Sequence, residues 1–148
     1  MTRYSQVLRV LLATLCLPSL GRAADAENYT PPVEGIHIEL NALSEGEGSC
    51  RLSFVATNSL EEDISEAIYE TVLFDQEGGV MMLTLFDFRD LPVDRPRVRQ
   101  FDLPGLACAE VGRILVNGAN RCVTGGSDST VCAQRLFLTT RTDVEVLG

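Results

Sequence analysis

Hydrophobic and polar residues alternate with a period of two along much of the chain after residue 35. The first run places Ile36, Ile38 and Leu40 on one side, with polar residues between them. This alternation is typical of a β-strand that buries one face. It returns at 52–56, after a Glu-Gly-Glu-Gly sequence that is typical of a turn. The start of the domain is therefore predicted to be a pair of strands.

Further segments with strand-like composition lie at 67–74, 80–88, 97–103, 113–116 and 136–146. The sequence Asp-Gln-Glu-Gly-Gly at 75–79 predicts a tight hairpin, because glycine readily adopts the positive φ that such turns need. No long amphipathic helix pattern occurs. About seven short strands separated by polar or glycine-rich turns predict an all-β fold, an immunoglobulin-like β-sandwich.

The first 26 residues have the composition of a secretory signal peptide. Arg3 and Arg9 flank a short polar start, an apolar run follows at 7–17, and small residues close the segment at 24–26. Such a run is too short to span a bilayer stably, and the order of the three regions is that of an export signal. We therefore expect a periplasmic or extracellular protein whose mature chain begins at Glu27, with Asp25 or Ala24 as the alternatives.

After cleavage, the chain divides into two parts. Consecutive prolines at 31 and 32 favour an extended tether at 27–34, because proline lacks an amide donor and holds φ near the polyproline value. The β-sandwich domain is expected at 35–148. No later apolar stretch is long enough to cross a membrane, so no membrane insertion is expected after signal cleavage.

The cysteines predict two disulfides. Cys16 leaves with the signal peptide, which leaves Cys50, Cys108, Cys122 and Cys132 in an oxidising compartment. Four cysteines permit three pairings, and sequence alone does not choose among them. The short, glycine-containing segment between Cys122 and Cys132 favours a bridge between those two. Cys50 would then pair with Cys108.

The charge of the chain excludes some partners. All 12 basic residues are arginine, against 21 acidic residues, and the formal net charge is −9. Removal of 1–26 takes away three arginines and one aspartate, so the mature chain carries −11. Such an excess of negative charge argues against nucleic acid and against anionic membrane surfaces as partners.

Few residues are suited to catalysis or metal binding. His37 is the only histidine, and Glu39 lies two residues away on the same face of the predicted strand, where it could orient the imidazole. No serine-nucleophile, phosphate-loop or zinc-protease motif occurs. We therefore expect no enzymatic activity, no cofactor and no metal. A small secreted enzyme that uses His37, or a protease inhibitor that presents the 122–132 loop, remains the alternative.

Two segments are candidate contact surfaces. Arg95, Arg97 and Arg99 would share one face of an extended chain, and we call these three residues the Arg stripe. The Arg stripe would either bind acidic groups of a partner or pair with acids of the same domain. Pro96 favours an edge strand. In the second segment, 80–88, apolar residues occupy both faces, which indicates either a central strand or an exposed apolar patch.

The middle of the chain resembles a known family. A strand that ends at Asn58-Ser59 is followed by Leu73-Phe74-Asp75, by Glu77-Gly78, and by a strand that ends at 99–101. This order resembles the FxLYD-type immunoglobulin-like domains of secreted bacterial proteins, although Phe74 stands where that family has tyrosine. The whole chain also resembles small exported alphaproteobacterial proteins, some of which are described as Tat-pathway signal-sequence proteins. Neither resemblance implies an established activity.

Together these features predict a secreted or periplasmic, non-enzymatic binding or accessory module. Its expected partner is a protein of the cell envelope, and the expected contact residues are Arg95, Arg97 and Arg99.

Overall fold

The computed structural model describes residues 33–148. The predicted signal peptide at 1–26, with Cys16, and most of the predicted tether lie outside this range. The described chain forms nine strands: β1 (Ile36–Gly46), β2 (Ser49–Asn58), β3 (Ile64–Phe74), β4 (Val80–Leu91), β5 (Arg97–Pro104), β6 (Arg113–Thr124), β7 (Ser127–Asp128), β8 (Leu136–Thr140) and β9 (Glu145–Leu147). A short 3-10 helix covers Cys108–Glu110, and one helical turn, α1, covers Val131–Gln134.

The strands form two sheets that pack as a sandwich. The first sheet has the order β5-β2-β1-β8, and the second has the order β4-β3-β6-β7 with β9 beside β6. β8 runs parallel to β1 and β9 runs parallel to β6, whereas the other pairs are antiparallel. The predicted all-β sandwich is confirmed, and so is the edge position of β5. No helix within residues 33–148 is long and apolar enough to span a membrane.

The predicted hairpin between β3 and β4 is present. The amide of Asp75 donates to the carbonyl of Gly79 at 2.9 Å, and one carboxylate oxygen of Asp75 accepts from the amides of Glu77 and Gly79. Gly78 has φ of 87°, a conformation that costs glycine little. The turn chemistry of this segment therefore sets where β4 begins.

The inward faces of the strands form one hydrophobic core. The apolar residues of β1 and β2 that alternate in the sequence are all buried. Four phenylalanines pack together beside β4 and β5: Phe54, Phe86, Phe88 and Phe101. The rings of Phe86 and Phe101 stack with centroids 4.2 Å apart. This pair joins the two sheets at their shared side, where both β4 and β5 are edge strands.

Two disulfides close the ends of the sandwich, with the predicted pairing. Cys50 of β2 is bonded to Cys108 of the 3-10 helix, 58 residues later, with Cα atoms 4.8 Å apart. Cys122 of β6 is bonded to Cys132 of α1, 10 residues later, with Cα atoms 5.9 Å apart. The first bridge ties a central strand to a loop that has little other regular structure.

The segment at 136–146, predicted as one strand, is two strands in different sheets. The hydroxyl of Thr140 accepts a hydrogen bond from the amide of Thr142, and the hydroxyl of Thr142 accepts one from the amide of Val144. These local bonds replace ladder bonds, so the chain bends between β8 and β9. β6 is also longer than predicted, because register shifts on either side of Glu70 let it continue past Gly118.

Candidate binding surfaces

Two members of the Arg stripe are bonded to the facing sheet. Arg97 and Arg99 lie on the inward side of β5, and their Nη2 atoms lie 2.9 and 3.0 Å from the carboxylate oxygens of Asp90 on β4. The hydrogen bond from Arg97 holds the pKa of Asp90 below its usual range. Arg95 precedes β5 and is exposed. The structure therefore gives Arg97 and Arg99 internal partners, and a contact between the Arg stripe and another protein stays a prediction.

Arg99 also binds the main chain of β4. Its Nε donates to the carbonyl of Phe88 at 2.6 Å, and its Nη2 donates to the carbonyl of Asp90 at 3.0 Å. An edge strand leaves main-chain groups unpaired, and here a side chain of the opposite sheet satisfies two of them. Arg99 therefore closes the end of the β4 edge.

A bulge lies beside this closed end. Arg89 has φ of 58°, its amide donates to the carboxylate of Asp87 at 2.8 Å, and the register with β3 shifts at Ala67. Edge strands often carry such bulges, which prevent a further strand from pairing. From Asp87 to its end, β4 is thus unsuited to strand addition.

The beginning of β4 is different. Val80, Leu83 and Leu85 are 68%, 62% and 50% exposed, and they lie within one six-residue segment. Of the two possibilities that the sequence left open for 80–88, the structure supports the exposed apolar patch. The inward residues of the same strand, Phe86 and Phe88, belong to the core.

The patch continues across the outer face of the second sheet as one apolar row. Val72 of β3 pairs in register with Leu83 of β4 and with Leu115 of β6, and Leu115 pairs with Leu147 of β9. We call Leu83, Val72, Leu115 and Leu147 the outer row. Val72 lies outside the interior core cluster. It is buried nevertheless, because its neighbours in the outer row cover it.

Polar residues border the outer row on both sides. On one side, Asn117 donates to the carboxylate of Glu70. On the other side, Arg113 and Glu145 form an ion pair at 2.7 Å. An apolar centre with a polar margin is the usual composition of a protein-protein contact surface.

His37, the residue on which the enzyme alternative depends, contacts one residue that precedes β1 and one residue of β8. The Nε2 atom of His37 lies 2.7 Å from the carbonyl of Val33, and its ring stacks on Phe137 with centroids 5.0 Å apart. The carboxylate of Glu39 is bonded to two other side chains, Asn41 at 3.0 Å and Arg141 at 2.7 Å. Glu39 therefore does not orient the imidazole in this structure.

The loop of the inhibitor alternative is fixed to the core. It contains β7 and the start of α1, and the hydroxyl of Tyr69 donates to the carbonyl of Cys132 at 3.1 Å. Burial raises the pKa of this phenol, so the hydroxyl keeps its proton for that bond. Within residues 33–148, no cluster of three histidine, cysteine or acidic side chains is arranged to hold a metal ion.

The sequence could not identify the outer row, because its members come from four strands and meet only once the register is known. The signal that was present is the excess of apolar residues on both faces of 80–88.

Asp90 was likewise missed as the partner of Arg97 and Arg99. It lies in the facing sheet, which no sequence period relates to β5.

Comparison with known proteins supports the fold alone. No protein-family model matches the chain, and no curated protein matches it. Among solved structures, the chain is similar to IrmA from Escherichia coli, with a TM-score of 0.55 over 70% of this chain and 90% of that chain. Sequence identity between the two is 11%. The chain therefore shares an all-β fold with IrmA.

Proposed function

We propose that this chain is an exported, non-enzymatic binding module that acts in the periplasm or outside the cell on another protein of the envelope. Two disulfides support an oxidising compartment, in agreement with the signal peptide expected at 1–26. The excess of acidic residues disfavours nucleic acid and anionic lipid as partners.

The outer row carries the proposal. It crosses four strands, its terminal leucines are exposed, and a polar margin borders it. Apolar surface that stays in water is unfavourable for an isolated domain, and contiguous patches of this kind mark contact surfaces. A partner that covers the outer row would bury this surface without leaving polar groups unpaired.

The Arg stripe contributes less to the proposed contact than the sequence suggests. Arg97 and Arg99 would have to leave Asp90 and the β4 carbonyls in order to bind a partner. Of the three residues of the Arg stripe, only Arg95 is exposed and has no ion-pair partner within residues 33–148. The contact surface of the module is therefore the second sheet, and the first sheet supports it.

Site-specific photo-cross-linking in cells tests the proposal. A photoreactive residue at Leu147 lies at the end of the outer row that is far from the β4 edge in the strand order. The matched control is Val98, an exposed residue on the outer side of the first sheet. We expect a cross-link to another envelope protein from position 147 and none from position 98. A cross-link from neither position, or from 98 alone, would contradict the proposal.

A further inference from the structure

We propose that β4 pairs antiparallel with β4 of a second copy of this chain, with Leu83 opposite Leu83. The second sheet of one copy and the second sheet of the other then form one continuous sheet. This self-association is independent of the envelope partner, because it needs no surface beyond the β4 edge and the residues that flank it.

The β4 edge is open in one half and closed in the other. Arg99 occupies the carbonyls of Phe88 and Asp90, and the bulge between Asp87 and Arg89 disrupts the ladder there. Within residues 33–148, no hydrogen bond outside the ladder with β3 engages a main-chain group of 80–86. The register with β3 shifts between Val80 and Met82 and is regular from Met82 onward, so a strand that joins this sheet has 82–86 as a regular segment, with Val80 and Met81 beyond the shift.

The open half is apolar and uncharged. Its sequence, Val-Met-Met-Leu-Thr-Leu-Phe, contains no acidic or basic residue, although the chain as a whole carries a net charge of −9. Charged residues on an edge strand normally oppose pairing with another chain. Their absence here, together with the exposure of Val80, Leu83 and Leu85, leaves the edge suited to pairing.

The open half is also matched to a copy of itself. An antiparallel copy centred on Leu83 pairs Met82 with Thr84 inside the regular segment and keeps every cross-strand partner within 80–86. In that register Met81 lies opposite Leu85 of the second copy, and Val80 lies opposite Phe86. A register shifted by one pair, with Leu83 opposite Leu85, would place Met81 opposite the charged Asp87. Apolar cross-strand pairs stabilise a sheet, which favours the centred register.

Charges beyond both ends of the open half fit the same register. Glu77 and Arg89 each lie six residues from Leu83, so Glu77 of one copy approaches Arg89 of the other, twice. Neither residue has an ion-pair partner within residues 33–148. Opposite charges at the ends of the paired segment fix the register and orientation of the two strands. Because the contact is two-fold symmetric, the Glu77–Arg89 pair occurs twice.

The centred register also joins the outer rows. Leu83 is the β4 member of the row, so the pair Leu83–Leu83 connects Val72 and Leu115 of one copy to the same residues of the other. The dimer thus presents one apolar band across both copies. Burial at the β4 edge does not remove this band, because strand pairing covers the edge and leaves the outer face open.

Sedimentation equilibrium of the exported chain, purified from the cell envelope, tests the proposal over a concentration series. We expect a monomer-dimer equilibrium, and Leu83→Glu should raise the dimer Kd by about 100-fold, because two carboxylates would face each other in an apolar contact. The matched control is Val98→Glu, since Val98 and Leu83 are both 62% exposed on edge strands. A wild-type monomer at every concentration, or a dimer that survives Leu83→Glu, overturns the proposal.

Charge reversal and cysteine trapping test the register. Glu77→Arg and Arg89→Glu should each weaken the dimer, and the two changes in one chain should restore it. Leu83→Cys should give a covalent dimer on oxidation, whereas Leu85→Cys should not, because residue 85 faces Met81 of the second copy. Trapping through position 85 but not 83, or a double reversal that fails to restore dimerisation, would rule out the centred register.

Discussion

Arg99 donates from Nε to the main-chain carbonyl of Phe88 at 2.6 Å, and so binds the edge strand of one sheet to the edge strand of the other. The same guanidinium reaches the carbonyl and the carboxylate of Asp90. The side of the sandwich where β4 and β5 are both edges is therefore closed by a side chain rather than by a further strand. This bond also determines which half of β4 remains open.

Loss of this bond should destabilise the fold. Arg99→Gln removes donors from two carbonyls at a position where the side chain is 18% exposed. Because bonds that involve a charged donor contribute more than neutral ones, we expect unfolding free energy to fall by about 1.5–3 kcal/mol. Urea denaturation of the purified chain measures this change.

Arg95→Gln is the matched control for Arg99→Gln. Arg95 is exposed and precedes β5, so the control should change the unfolding free energy by less than about 0.5 kcal/mol. Equal effects of the two substitutions would show that Arg99 has no special structural role and would return the Arg stripe to consideration as a contact surface.

The ion pairs of Asp90 predict a stability difference that depends on pH. Because Arg97 lowers the pKa of Asp90 in the folded state, the ionised carboxylate stabilises the fold above the ordinary aspartate pKa of about 4, and this contribution is lost as pH falls through the lowered value. Asp90→Asn should therefore be less stable than wild type at neutral pH, by at most about 1 kcal/mol, since the carboxylate is more than half exposed. Urea midpoints measured from neutral to strongly acidic pH should converge at the acidic end. A difference that is constant over the whole range would contradict this origin.

Asn58 should be a large contributor to stability. Its side-chain amide donates to the carbonyls of Glu62 and Leu91, its carbonyl accepts the amide of Leu60, and the residue is fully buried. Asn58→Ala would leave buried main-chain groups without partners, so we expect a loss of about 3 kcal/mol in unfolding free energy. Asn41→Ala, an exposed control, should have an effect below about 0.5 kcal/mol. Thermal or urea unfolding that ranks the two equally would contradict the role of Asn58.

The two disulfides should differ in their effect on thermal stability. On the chain-entropy model the Cys50–Cys108 bridge, with a separation of 58 residues, contributes about 4 kcal/mol, and the Cys122–Cys132 bridge, with a separation of 10, contributes about 3 kcal/mol. Replacing Cys50 and Cys108 by alanine should therefore lower Tm at least as much as replacing the other pair. Calorimetry of the two double variants decides the order.

Most of the sheet structure could be predicted because it follows from local patterns. The alternation in Ile36–Leu40 and the turn residues at 75–79 determine a buried face and a hairpin without reference to distant residues. One of the three possible disulfide pairings was favoured for a similar reason, since a short flexible loop favours its own closure.

The surface could not be predicted, because it depends on register between strands that are far apart in sequence. Val72 and Leu115 are 43 positions apart, and they pair in a regular stretch that begins only after three register shifts between β3 and β6. Arg97 and Arg99 were recognisable as a shared face, but whether that face meets solvent or Asp90 depends on how the two sheets pack. Contacts between side chains of the two facing sheets leave no periodic signal in the sequence.

Carbene footprinting of the chain in the intact envelope, compared with dilute purified protein, tests most directly whether the outer row is the contact surface. We expect Leu83 and Leu147 to be labelled in the purified protein and protected in the envelope, while Val98 and Arg95 are labelled to the same extent in both. Equal labelling of Leu83 and Leu147 in the two preparations, with protection at Arg95 or Val98 instead, would contradict the account.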